Sequence, residues 1–173
     1  MSRPSLPSVP FLSGPGCKEA AMRILCAIGI RRGAELVRRL SHIARPGDEL
    51  VLVHVLDDGP RHDLNHLEGT IRPHHAQREE LDAAEQDAGS AALKEAAEAA
   101  RAAGLSAVTR LERGRPEQAV VALAAQLAVD MVAVLAREAP GTHPLKGPPS
   151  IGHTARFILD HVAADVAVFR EKG

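Results

Sequence analysis

Apolar positions fall in short runs that alternate with stretches of helical spacing. Met22–Ile30 (MRILCAIGI) is almost continuously apolar and of strand length, which suits a strand buried on both faces. In residues 34–44 the spacing of Leu36, Val37, Leu40 and Ile43 predicts a helix with one apolar side. Arg45-Pro-Gly47 ends it, because Pro cannot continue a helix and Gly tolerates the turn. Glu49–Leu56 (ELVLVHVL) is a second buried strand.

Residues 57–77 show no period, hold Pro60, Gly69 and Pro73, and read as a His-rich insertion or long loop. Residues 78–103 are rich in Ala, Glu, Lys and Arg, a strong helix by propensity, stopped by Gly104 and weakened midway by Gly89. Little apolar bulk lies along it, so it packs closely or stays near the surface. Leu105–Leu111 alternates like a half-exposed or edge strand. A helix over 116–128 has Pro116 in its first turn. Asp130–Ala136 is again a buried strand, followed by a Gly/Pro-rich loop over 137–150. A helix over 151–162 places Ile151, Ala155, Ile158, Leu159 and Val162 on one stripe, with Ser150 as its expected N-cap. Asp165–Phe169 (DVAVF) is the last strand.

Strands alternating with helices predict an α/β fold: an open, mostly parallel five-stranded sheet with helices on both faces. Ligands in such sheets bind beyond the carboxyl ends of the strands, where the strand order reverses, so the segment after Ala136 is the place to look for chemistry. Residues 1–20, rich in Pro, Ser and Gly, read as a disordered leader, and residues 21–173 as one domain carrying the insertion at 57–77.

Composition narrows the function. The net charge of −1 carries no like-charged block, which argues against nucleic acid or an anionic membrane as partner. Trp and Tyr are absent and Phe occurs only at 11, 157 and 169, too little aromatic surface for reading single strands by stacking. No stretch nears the ~18 apolar residues of a membrane span. Cys17 and Cys26 do not form a disulfide framework, and the expected location is the cytosol.

Five local patterns, in the right order over Met22–Arg170, resemble the universal stress protein family. They are MRILCAI; LVLVHVLD with its internal His; Leu111-Glu-Arg-Gly-Arg-Pro-Glu-Gln-Ala119; VDMVAVLA; and the ungapped run from Gly152 to Arg170. The resemblance implies a Rossmann-like domain with an adenine-nucleotide site. ATP-binding members carry Gly-x2-Gly-x9-Gly-Ser/Thr after the fourth strand and an acid at the end of the first. Here the first two glycines fall on Ala136 and Ala139, the spacer to Gly152 is three residues longer, His153 stands for Ser or Thr, and Gly29 for the acid. Gly152 and Val55, whose backbone meets adenine in relatives, carry over. Ala adds a Cβ where backbone must approach phosphate, and Pro148 and Pro149 remove N–H donors. Gly141, Lys146, Gly147 and the helix start could instead form a different anion nest.

The resemblance therefore implies a non-catalytic regulatory module with ATP binding weak or lost, ATP or AMP being the candidate ligands. It also implies a homodimer along the final strand, with Val166 and Val168 as the dimer residues. Two alternatives stand beside this reading: an ATP-binding switch or slow ATPase using the remodelled 137–154 loop, and a metal-binding protein. For the latter, His62 and His66 at i, i+4 are the candidate ligands, with Asp63, His74 and His75 nearby, against a plain solvated loop. His54 is read as a structural histidine, and Arg31-Arg32 as a solvated pair at the start of the first helix.

Overall fold

The structure, a computed structural model, describes residues 20–57, 75–136 and 151–170. Within these, the chain runs β1 (Arg23–Ala27), α1 (Gly33–Leu40), β2 (Glu49–Asp57), α2 (His75–Ala102), β3 (Ser106–Gly114), α3 (Pro116–Gln126), β4 (Met131–Leu135), α4 (His153–His161) and β5 (Asp165–Phe169). The strands form one sheet in the order β3-β2-β1-β4-β5, and every pairing is parallel. The expected open parallel α/β sheet is the one observed, with β3 and β5 at its edges.

The near-continuous apolar runs of β1, β2 and β4 follow from their central positions, where both faces are covered. Alternation sends Ile24, Cys26, Leu50 and Leu52 to a core with Leu36, Val37 and Leu40 of α1 and Leu93, Ala96 and Ala100 of α2. Leu25, Val51, Val53, Val132 and Val134 face the opposite core, against Val120 and Leu123 of α3 and Ala155 and Ile158 of α4. Burial pushes the Cys26 thiol up to about 12, so this cysteine acts as a small core side chain.

The scarcity of apolar bulk in α2 reflects close packing. A Cβ on Gly33 would lie 2.5 Å from Cγ2 of Ile28 and 3.5 Å from Cβ of Ala96, so α1 and α2 approach through small residues. Two positions depart from the predicted stripes. α1 ends at Leu40 and Ser41 caps it, so Ile43 lies past the helix and is 49% exposed. On α4, Leu159 is 44% exposed and only Ala155 and Ile158 are fully buried. This helix starts at His153 with Gly152 as its N-cap, at φ 87° and ψ 159°; that moves the start from the expected position 151. Ser150 lies outside the described residues.

Carboxylates tie down the amino ends of the strands. Asp48, 2% exposed, accepts the Met22 N–H at 2.8 Å and the Arg45 N–H at 2.7 Å. Asp130 accepts the Arg23 N–H at 2.7 Å, and Arg23 pairs with Glu49 at 2.9 Å. The opposite, carboxyl end is where loops gather and where a ligand would enter.

Candidate functional site at the carboxyl edge of the sheet

The chain builds outward from β1 through β2 to β3, then returns to the other side of β1 for β4 and β5. The order therefore reverses between β1 and β4, and the crevice in which open parallel sheets take up ligands is expected beyond their carboxyl ends. Around this point the sequence places Ile28 and Gly29 leaving β1, Val55 near the end of β2, Ala136 leaving β4, and Gly152–His153 opening α4.

The β1–β2 side is fixed by a buried histidine. The Ile28 N–H donates to Val53 O at 2.7 Å, and Ile28 O accepts from His54 Nδ1 at 2.7 Å. A carbonyl only accepts, so Nδ1 carries the proton and His54 is the structural histidine the sequence suggests. Its ring occupies the space left by Gly89 of α2: a Cβ there would sit 2.4 Å from Cδ2 and 2.9 Å from Nε2. Val55 follows on the opposite face, half-buried against the α3/α4 core.

The remaining positions around this point are Gly29, Ala136, Gly152 and His153. Gly29 is exposed, and a Cβ on it would meet nothing within 4 Å among the described residues, so none of these excludes an acid at this position on steric grounds. Ala136 is buried and its N–H donates to Phe169 O at 2.8 Å, which commits that donor to holding β5. Gly152 keeps a backbone conformation open essentially to glycine, and the first-turn N–H groups of α4 follow it. His153 is solvent-exposed, with Nε2 3.9 Å from Oε1 of Glu117 on the first turn of α3. Ala139, Lys146, Pro148 and Pro149 lie outside the described residues, as do His62 and His66. Among the described residues no three His, Cys, Asp or Glu side chains come together as a metal site.

Three arrangements were not read from the sequence. The Glu117–His153 and His54–Gly89 contacts join distant segments, and no local spacing signals them. His153, Phe157 and His161, by contrast, recur at i, i+4 on α4. The Phe157 and His161 rings stack at 3.9 Å and 12°, and His161 Nδ1 lies 2.8 Å from Phe157 O. Arg32 caps α1 and lies 3.9 Å from Glu35, while Arg31 is exposed.

The dimer candidates Val166 and Val168 are partly buried against the α3/α4 core. Asp165 N–H bonds to Asp130 O, and Phe169 O accepts from Ala136, so 165, 167 and 169 turn their main-chain groups toward β4. By alternation those of Val166 and Val168 point to the free edge. Among the described residues no helix is long and apolar enough to cross a membrane.

A search of curated proteins finds no match. Among solved structures, the chain is similar to hypothetical protein MJ0577, with a TM-score of 0.69, 15% identity, and coverage of 89% of this chain and 99% of that one. A universal stress protein from Archaeoglobus fulgidus gives 0.62 at 18% identity, covering 85% and 97%; its complex with dAMP gives 0.59 at 17%, covering 86% and 98%. A universal stress protein family member from Arabidopsis thaliana with AMP bound gives 0.58 at 12%, covering 88% and 93%. These likenesses bear on the fold. The model of the universal stress protein family matches residues 21–170, nearly the whole of the sheet and its helices, and the chain belongs to that family.

Proposed function

We propose that the chain is a non-catalytic regulatory module that senses adenine nucleotides weakly, keeping the adenine end of the site while its grip on a triphosphate is reduced. The observation that carries this reading is the contrast between the two ends of the crevice. Val55 stands on β2 beside the strand-order reversal, whereas Ala136 has its N–H committed to β5 and Gly29 offers no side chain. Gly152 and the first turn of α4 still suit a single phosphate, because the positive end of the helix dipole favours an anion there. Relatives solved with dAMP and AMP support an adenine ligand for this fold.

Thermal shift and calorimetric titration of the full chain with AMP and ATP test the proposal, since a ligand that prefers the native state raises its apparent stability. Both nucleotides are expected to bind weakly, with Kd of about 1 mM and ATP no tighter than AMP. ATP carried through purification, or held a hundredfold more tightly than AMP, sinks the reading.

We also propose a homodimer through the edge of β5, closed by two-fold symmetry. The main chain at Val166 and Val168 would supply the pairing, and their side chains serve the domain's own core. Val168→Pro removes one outward N–H while leaving the ladder to β4 its donors, as edge strands tolerate. The variant is expected to remain folded and to shift toward monomer in sedimentation at tens of micromolar. An unaltered protein that is monomeric under those conditions ends the dimer proposal.

A further inference from the structure

We infer that His54 is a positioning residue for the ligand: by capturing the Ile28 carbonyl it stops the β1–β2 ladder one rung early and leaves the main-chain N–H of Val55 facing the crevice. In a parallel pair, the strand that accepts a bond at one residue donates from the residue two further on to the same partner. Ile28 N–H bonds to Val53 O, so the rung that follows would run from Val55 N–H to Ile28 O. That rung is not formed among the described residues, and Ile28 O instead receives His54 Nδ1 at 2.7 Å. The register agrees, since the pairing of β1 with β2 stops at Ala27 opposite Val53.

Alternation turns the N–H and C=O of Val55 to the same side as those of Val53, toward β1, and there β1 has left the sheet. The result is a neighbouring donor and acceptor at the strand-order reversal, the pattern that complements the amino and ring-nitrogen edge of a purine. Gly89 belongs to the same device. A Cβ there would fall 2.4 Å from Cδ2, so a residue without one leaves the imidazole where it reaches Ile28. The buried ring thus acts on the ligand through the backbone it holds.

This inference rests on the reading that the Val55 end of β2 meets adenine, and the test separates the two. Amide exchange of the uniformly labelled full chain is followed without nucleotide, then AMP is titrated. In the unaltered protein Val55 N–H is expected to exchange roughly a hundredfold faster than Val53 N–H, which lies within the ladder. His54→Leu frees Ile28 O, so Val55 N–H should take up the rung and its exchange should slow toward that of Val53. AMP binding should weaken by about tenfold, because adenine must then displace a formed hydrogen bond. His54→Asn, whose amide nitrogen can stand where Nδ1 stands, should keep both the fast exchange and the affinity. Should the Leu variant fail to fold, the unaltered protein and the Asn variant still decide. Val55 protected as strongly as Val53 in the unaltered protein, or unchanged by His54→Leu, overturns the inference. If exchange responds as described while AMP binds none of the three, the positioning of Val55 stands and the adenine reading falls.

Discussion

Replacing Asp48 with Ala is expected to lower the unfolding free energy by about 3 kcal/mol, the largest single-residue effect anticipated outside the apolar core. The carboxylate is almost fully buried and holds two main-chain donors from separate segments, Met22 at the entry to β1 and Arg45 in the turn after α1. Hydrogen bonds to a charged acceptor contribute about 1.5–3 kcal/mol each, and their removal leaves both donors without this partner. Partial exposure of both donors places each bond near the lower end of that range, so that the two together come to about 3 kcal/mol. Asp48→Asn keeps one acceptor oxygen and turns an NH2 toward the other donor, so about half of the loss should remain. Urea denaturation of the two variants reads the effect directly. A loss below about 1 kcal/mol for Asp48→Ala would show that water replaces the carboxylate freely.

Gly89→Ala should destabilise the domain although Ala is the better helix former. Propensity favours the change by about 1 kcal/mol. Against it stands a Cβ 2.4 Å from Cδ2 of His54, a contact relieved only by moving a buried ring away from Ile28. Overpacking of this kind costs about 1–3 kcal/mol, and loss of the His54–Ile28 bond adds about 1 kcal/mol, so a net loss of about 2 kcal/mol is expected. The sign should reverse in a His54→Ala background. There the ring is gone, and the same Gly89→Ala change should stabilise by about 1 kcal/mol. A Gly89→Ala effect that is equal in both backgrounds would falsify the contact as the reason for the glycine.

The sequence carried the architecture because burial on two faces leaves a local mark. The apolar runs Met22–Ile30, Glu49–Leu56 and Asp130–Ala136 hold the three central strands Arg23–Ala27, Glu49–Asp57 and Met131–Leu135, and Asp165–Phe169 became β5 at the predicted bounds. Helix ends were less legible. Ile43 continues the apolar spacing of α1 past Leu40, but the turn at Ser41 takes it off the helix, a matter of three residues' backbone that periodicity does not encode. The same limit applied at α4, where Gly152 and not Ser150 opens the helix. At the carboxyl edge, the positions of Val55 near the end of β2 and of Gly152 at the head of α4 follow from their neighbours in sequence. The purpose of Gly89 was hidden. In sequence it is a weak point in a long helix; in space it is the room for an imidazole from a strand 35 positions earlier.

α2 has 28 residues, but among its described side chains the fully buried positions run only from Gly89 to Ala100. At 1.5 Å per residue its length is about 42 Å, against about 30 Å for the nine-residue strands beside it. It returns antiparallel to the strands, so its amino-terminal half overhangs the carboxyl edge where the crevice lies. From Glu80 to Ala88 the described side chains are exposed or half-exposed, and Leu81 is 56% exposed. An Ala-rich segment of that size has only marginal helicity without packing. Its opening free energy should therefore climb along the helix, from close to zero at its start to the full value near Ala100. This helix is thus expected to be stiff where it lies on the sheet and yielding where it passes beyond the carboxyl end of β2.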